Sequence, residues 1–202
     1  MSKKLLIVFV KNILLGKVKT RLAKTIGKPA AFEVYKHLVE ITEHETSKMK
    51  SCDVHIYFSD VIIDDKWPNQ QKFVQQGIDL GERMQNAFKN GFELGYQNII
   101  GIGSDLPDLN AEIINHGFEK LNKNDAVFGP AEDGGYYLIG MNKLIKCTFV
   151  NKKWSTNDLL FVTKNELQEA NYSIAELTTL NDIDTLDDLK SSTISKYFKK
   201  YY

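Results

Sequence analysis

Apolar positions recur along the chain with two periods, and the switching between them predicts the layout. Residues 5–10, LLIVFV, form an unbroken apolar run, the pattern of a parallel strand covered on both faces. Pro29 then stands where a helix can start, and Ala31, Val34, Tyr35, Leu38 and Ile41 follow at helical spacing. In 53–59, DVHIYFS, alternation of Val54, Ile56 and Phe58 predicts a second strand. Trp67-Pro68-Asn69 marks a loop before a short third strand at 72–76. From Gly81 the helical period returns, with Met84, Ala87, Phe88, Gly91 and Phe92 on one side. NIIGIGSD, 98–105, reads as a glycine-rich strand running into a polar turn at Pro107. A helix over 110–121, strands at 126–128 and 134–141, a helix over 155–170 and a weak strand at 174–177 complete the pattern, with 144–150 fitting either type.

Strands alternating with helices of this length predict a mostly parallel α/β sheet, and 202 residues suit one domain, 1–202. In open sheets of that kind ligands bind beyond the carboxyl ends of the strands. Attention therefore falls on the loops after Val10, Ser59, Gln76, Gly103 and Phe128.

Charge narrows the ligand. Lys+Arg and Asp+Glu both number 26, and a net charge of zero argues against nucleic acid as partner. A small phosphorylated ligand needs only a few well-placed cations, so it stays open. Cys52 and Cys147 belong to no Cys-x-x-Cys or Cys/His cluster, so neither zinc nor a disulfide framework is expected. The run at 5–10 is too short to span a bilayer and precedes no cleavage site, which leads to the expectation of a cytoplasmic protein without a membrane partner. His37, His44, His55 and His116 have no metal-ligand spacing. The tail KYFKKYY suits an amphipathic helix end or a self-association surface, so a homo-oligomer stays open.

Four stretches carry candidate chemistry. Gly16-Lys17-Val18-Lys19-Thr20-Arg21 combines flexible backbone, ammonium and guanidinium near a helix start, which can hold phosphate charge; it also fits a solvated basic loop, and it is not a Walker A sequence. Gly103-Ser104-Asp105-Leu106-Pro107 ends a buried strand, where an aspartate can bind Mg²⁺ or Mn²⁺ or simply start a turn. In Gly129-Pro130-Ala131-Glu132-Asp133-Gly134-Gly135-Tyr136 the Asp-Gly pair signals a hairpin turn that would also deliver Glu132 and Asp133 to the ligand face. Thr185 and Asp188 fit a capping box, whereas Asp182 and Asp184 alternate ahead of it and, in an extended segment, would face one side together. Trp154-Ser155-Thr156 reads as an aromatic packing ahead of a Ser-initiated helix, with Asp158 completing a capping box.

KVKTRL, QGIDLGERM, IGIGSDLPDL, GPAEDGGYYLIG, KWST and DIDTLDDL occur in this order and span nearly the whole chain. Together they resemble the bacterial family called selenodomain-associated transferase 1, within the GT-A nucleotide-diphospho-sugar transferase superfamily. KTRL and GSDLP are also similar to segments of 2-phospholactate guanylyltransferase. The resemblance implies one three-layer α/β domain of GT-A type with a mostly parallel mixed sheet. It implies phosphate contacts from Lys19 and Arg21 with Lys11 and Gly16 nearby, and a base against Gln76 and Gly77. Ser104 would join the nucleotide site, Asp105 would be the strand-end metal ligand, and Asp184, or Asp182, the second. Asp133 would face the acceptor. The loop after Lys11 departs from the family's proline-rich pattern and reads Asn12-Ile13-Leu14-Leu15.

The function expected is metal-dependent transfer from a nucleoside triphosphate or nucleotide-sugar to a small-molecule acceptor, with Mg²⁺ or Mn²⁺ as cofactor. The basic KTRL segment leans towards nucleotidyl transfer onto a small phosphorylated acceptor, with Lys19, Arg21 and Asp133 the catalytic candidates. Glycosyl transfer is the alternative, with Asp133 or Glu132 as base. A binding module without catalysis is the reading from another class.

Overall fold

A computed structural model describes residues 3–202. Its elements follow the predicted alternation. They are β1 (Lys4–Val10), α1 (Thr20–Ile26), α2 (Lys28–Ser47), β2 (Asp53–Phe58), β3 (Gln71–Val74), α3 (Leu80–Glu93) and β4 (Asn98–Ile102). Then come α4 (Ala111–Leu121), β5 (Ala126–Pro130), β6 (Tyr136–Met141), α5 (Leu159–Glu169), β7 (Ile174–Glu176), α6 (Leu186–Ser191) and α7 (Ser195–Phe198). The seven strands form one sheet in the order β3-β2-β1-β4-β6-β5-β7. β6 pairs antiparallel with both β4 and β5, and the remaining pairings are parallel.

Alternating side chains of β1 divide the apolar core between two faces. Leu6, Val8 and Val10 pack with Tyr35 and Val39 of α2 and Ile114, Phe118 and Leu121 of α4. Leu5 and Ile7 pack on the opposite face with Met84, Ala87 and Phe88 of α3 and Leu160 and Leu167 of α5. This is the three-layer α/β arrangement expected of the GT-A type. A third cluster lies outside the sheet, where Leu22 of α1, Val34 and Leu38 of α2, Ile183, Leu189 and Phe198 join. The carboxy-terminal aromatic tail is thus anchored by Phe198, with Tyr197 and Tyr202 left exposed. Among the described residues no helix is long and apolar enough to cross a membrane.

Two expectations need correction. Thr20 and Arg21, read with the basic stretch 16–21 ahead of the first helix, belong to α1, a helix before Pro29 that was not expected; its N-cap is Lys19, which makes no side-chain cap hydrogen bond and so leaves no capping signature. The helix expected from Ser155 starts at Leu159; Ser155, with φ +63°, lies in the turn before it. Asp158 is its N-cap without a side-chain bond, so the predicted Ser155–Asp158 capping box does not form. The capping box at Thr185 and Asp188 is present.

Candidate functional site: a basic chamber beside an acidic, aromatic one

The parallel strands β1 and β4 end side by side, and the loops that follow them carry the site. Tyr35 of α2 ties the two ends together. Its hydroxyl donates to the Lys11 carbonyl at 2.9 Å and accepts from the Lys11 amide at 3.1 Å. With that proton committed, the Ser104 hydroxyl, 3.2 Å away, is the donor in their contact. Asn12 stands where the resembled family has a proline-rich loop, and it is 3% exposed. Its Oδ1 accepts from the Asp60 amide at 2.7 Å and its Nδ2 donates to the Val61 carbonyl at 2.8 Å, fastening the β1 loop to the β2 loop.

Lys19 occupies the centre. Its backbone is left-handed, φ +45°, a strain of about 1–3 kcal/mol that only the surroundings can maintain. The side chain is 4% exposed, and Nζ donates to Asp105 Oδ2 at 3.1 Å and Asp184 Oδ1 at 3.2 Å. Arg21 Nη1 donates to the other oxygen of Asp184 at 3.1 Å. Burial acts to lower the Lys19 pKa, but the carboxylates of Asp105, Asp184 and Asp182 override it, and the ammonium ends above the ordinary lysine value. Asp184 is held by the cap of α6, where Asp188 accepts from the Asp184 amide at 3.1 Å. Ile183, between the two aspartates, points into the core.

Two cavities meet at Asp105. The first, about 620 Å³, is lined by Lys11, Lys19, Arg21, Arg83, Ser104 and Asp184, among others. The second, about 240 Å³, is lined by Phe9, Tyr136, Tyr137, Trp154, Asp133 and Asp182, among others. Phe9, Leu80, Gly103, Asp105 and Ser155 belong to both walls. Asp133 sits on the β5–β6 hairpin, its Oδ1 accepting from the Gly135 amide at 2.8 Å. Trp154 packs on the core beside α3, as expected.

The structure brings Lys11, Lys19, Arg21, Ser104, Asp105 and Asp184 to one chamber and places Asp133 and Asp182 in its neighbour. The two aspartates expected to face together are therefore divided between adjoining chambers. Gly16, Gln76 and Gly77 line neither. The Gln76 carbonyl instead accepts from Asn86 at 2.8 Å and that of Gly77 from Arg83 Nε at 3.1 Å, so this loop shapes the start of α3. Arg83, Gln75, Tyr35 and Ser59 line the first chamber and were not read from the sequence as site residues. Arg83 had one signal, a cation one turn into a helix that follows a strand-end loop.

Asp182 is the group most altered by its setting. Burial first, then the negative charge of Asp105, push its carboxyl up to about 6, with Lys19 acting in the opposite sense and Asp184 and Asp133 adding to the rise. The unfolded chain releases this proton near 3.8 and the folded chain only near 6, so folding stability contributed here falls as pH rises through that window. Asp182→Asn, which has no proton to lose, is expected to unfold at a higher temperature than the parent at pH 8 and at the same temperature at pH 4. Thermal unfolding at the two pH values checks this; an equal change at both would show that the carboxyl is not the cause.

As oxygen donors, Asp105 and Asp184 fit Mg²⁺ or Mn²⁺, which commonly take one or two carboxylates and complete their shell with water and substrate phosphate. Among the described residues no three acidic, histidine or cysteine side chains converge into a full protein cage. A cation held by these two carboxylates would need further ligands from water or a substrate phosphate.

The sequence profile of a bacterial family, described as an uncharacterized protein conserved in bacteria (DUF2064), matches residues 42–156. No curated protein matches the chain. The structure is similar to that of a Desulfovibrio desulfuricans G20 protein provisionally described as a nucleotide-diphospho-sugar transferase, with 29% identity, 100% of this chain and 99% of that one covered, and a TM-score of 0.86. It is also similar to 4-diphosphocytidyl-2C-methyl-D-erythritol synthase from Anaerococcus prevotii DSM 20548, at 13% identity, 97% and 100% coverage and a TM-score of 0.63. A cytidylyltransferase from Leptospira borgpetersenii gives 16% identity, 100% and 90% coverage and a TM-score of 0.61. The last two likenesses are of fold.

Proposed function

The chain belongs to the bacterial family DUF2064, and we propose that it is a nucleotide-dependent transferase which holds the phosphates of its nucleotide in the basic chamber. One observation carries the reading: a buried ammonium, Lys19, bridges Asp105 and Asp184 where the basic chamber meets a second one. Two of the similar proteins named above are described as a nucleotide-diphospho-sugar transferase and a cytidylyltransferase, which supports the same class. The motif resemblance to selenodomain-associated transferase 1 points the same way.

Lys19 has three ammonium protons, and Asp105 and Asp184 take two, leaving one for a phosphate oxygen. Arg21, 62% exposed, keeps N–H groups free to turn to the same phosphate. Lys19 does not have to be brought in from solvent when charge builds on the leaving group, which is the condition under which such a group accelerates a reaction most. Asp105 and Asp184 would hold Mg²⁺ or Mn²⁺, and a bound divalent cation neutralises phosphate charge.

Nucleotidyl transfer uses this chamber most fully. An acceptor oxygen bonds to the α-phosphorus, the bond from that phosphorus to the bridging oxygen of the β-phosphate breaks, and pyrophosphate leaves with the electron pair beside Lys19 and Arg21. Glycosyl transfer is favoured by a different observation, the placing of Asp133 in the second chamber. There an acceptor hydroxyl would bond to the sugar's anomeric carbon, a nucleoside diphosphate would leave with the bonding pair, and the hydroxyl proton would pass to Asp133.

Thermal unfolding against nucleoside triphosphates and nucleotide-sugars, with and without Mn²⁺, tests the reading. A ligand at a hundred times its dissociation constant stabilises by about 2.7 kcal/mol, several degrees for a chain of this size. The expected shift needs the metal and is lost in Asp105→Asn. No shift with any nucleotide would leave a binding module of another kind.

A further inference from the structure

A third cavity, about 290 Å³, lies at the opposite end of the sheet. Asp53 and Gln71, which open β2 and β3, line it, whereas Ser59 and Gln75, just beyond the far ends of those strands, line the basic chamber. The length of β2, roughly 17 Å, lies between the two. Neither chamber of the transferase site shares a lining residue with this cavity. Its floor is formed by Met49, Val54, His55 and Tyr96, all buried, and its rim by the carboxamides of Asn69, Gln70 and Gln71.

Two polar groups stand open here. His55 is 2% exposed and lies between the rings of Phe73 and Tyr96, with centroids 5.2 and 5.7 Å from its own. Its Nδ1 has no hydrogen-bond partner among the described residues. Buried polar atoms nearly always have one, so an open atom on a cavity wall marks where a ligand atom can bond. Asp53 accepts from the Tyr96 hydroxyl at 2.8 Å through Oδ2, and its Oδ1 is unengaged among the described residues. Burial holds the His55 pKa below the usual histidine value against the charge of Asp53, so the ring is neutral and one of its nitrogens is an acceptor. The Cys52 thiol, also in the wall, is pushed up to about 12 by burial and adds no charge at neutral pH. No lysine or arginine lines the cavity; Lys4, whose charge reaches Cys52, lies over the Phe118 ring of α4, 5.5 Å from its centroid.

We infer that this cavity is a separate ligand site, for a small organic cation with a flat N–H-bearing group, of amidinium or guanidinium type. Asp53 and His55 stand two apart on β2, on one side of the sheet, so a forked pair of N–H donors can serve Oδ1 of one and Nδ1 of the other. Asp53 is the only charged residue in the wall, and an anion would meet it unopposed. A bare metal ion is not matched, since among the described residues no three acidic, histidine or cysteine side chains converge. Tyr96, Met49 and Val54 supply apolar contact for a ring. The volume falls just below the roughly 300–1,000 Å³ of pockets for drug-sized ligands, which suits a cation of one ring. Because the two ends of β2 share no lining residue, cation and nucleotide are held at once, and the failure of either site leaves the other standing.

Benzamidine, benzamide and benzoate have nearly one shape and carry positive, zero and negative charge, so they separate charge from fit. Each is titrated into the full chain by calorimetry, and the His55 ring is followed by NMR. With His37, His44 and His116 replaced by Gln, none of them buried, the one imidazole left is that of His55. Benzamidine is expected to bind about tenfold more tightly than benzamide, to move the His55 signals, and to do so equally with a nucleotide present. Benzoate should not bind. Asp53→Asn keeps an oxygen for the Tyr96 hydroxyl and should abolish the preference for benzamidine. Gln71→Lys, an exposed change on the edge strand β3, should weaken benzamidine by about tenfold without loss of the fold. Benzamide binding as tightly as benzamidine, benzoate binding at all, a preference that survives Asp53→Asn, or His55 signals that no probe moves would each overturn the inference.

Discussion

Replacing Lys19 with methionine is expected to lower turnover by a factor on the order of 10²–10³, the size of effect seen when one pre-placed charge donor is removed from a developing oxyanion. The side chain keeps its length and apolar stem and loses only the ammonium. Stability should fall far less: Asp105 and Asp184 are 37% and 35% exposed, so water reaches the carboxylates that lose their partner. A cost of about 1–3 kcal/mol is expected. Lys19→Gly separates the two effects. Glycine relieves the left-handed backbone, φ +45°, for which about 1 kcal/mol returns, yet it removes the same charge. Turnover should be equally low in both variants, with Lys19→Gly the less destabilised for its lost side chain than truncation alone would predict. Measured kcat beside thermal midpoints tests this, and an undiminished kcat in either variant would take Lys19 out of the chemistry.

Gly134→Ala is the substitution expected to cost most stability for the fewest added atoms. Gly134 has φ +88°, and a Cβ there would drive into the Asn157 carbonyl, a backbone group with no flexible end to swing aside. The Leu160 amide also donates to the Gly134 carbonyl at 3.1 Å, so hairpin and helix start are fastened to each other on both sides of this residue. Backbone strain of about 1–2 kcal/mol and overpacking of about 1–3 kcal/mol together give about 3 kcal/mol. For a chain of this size that lowers the midpoint by roughly 6–12 °C. Because the displaced segment carries Ser155 and Thr156, emission from Trp154 should change even at temperatures where the variant is folded. A midpoint within a degree of the parent would mean that the hairpin can move off Asn157 freely.

The extent to which the sequence foretold this arrangement follows from the range of the interactions involved. Strands such as β1 and β4 were legible because their apolar runs record burial on two faces, a property of consecutive residues. The cap at Thr185 was legible because its partner, Asp188, is three residues away. α1 was not, since its N-cap is a strained lysine held by carboxylates from the loop after β4 and from the segment before α6. Ser155 misled for a related reason: a left-handed serine at a chamber wall looks, in sequence, like one that opens a helix. Lys19, Arg21, Asp105 and Asp184 could each be named from sequence as candidates, and the structure brings them to one chamber. That one ammonium would join two of the aspartates, and that Asp182 would fall on the other side of a shared wall from Asp184, depends on tertiary geometry that no local pattern carries. Gln76 and Gly77 belong to a stretch that builds the start of α3, and its neighbours Gln75 and Arg83 are the ones that reach the cavity.

The contact between Lys19 and Asp184 joins residues 165 positions apart, so it closes a loop containing most of the chain. Loop closure of that length costs entropy before the contact gives anything back, so the site is expected to form after the sheet has assembled. Any fragment ending before Asp184 carries the basic loop and Asp105 without the residue that holds Lys19 from the far end. Nucleotide affinity, once measured, would double as a probe of the last stage of folding, rising only when the two ends of the sequence have met.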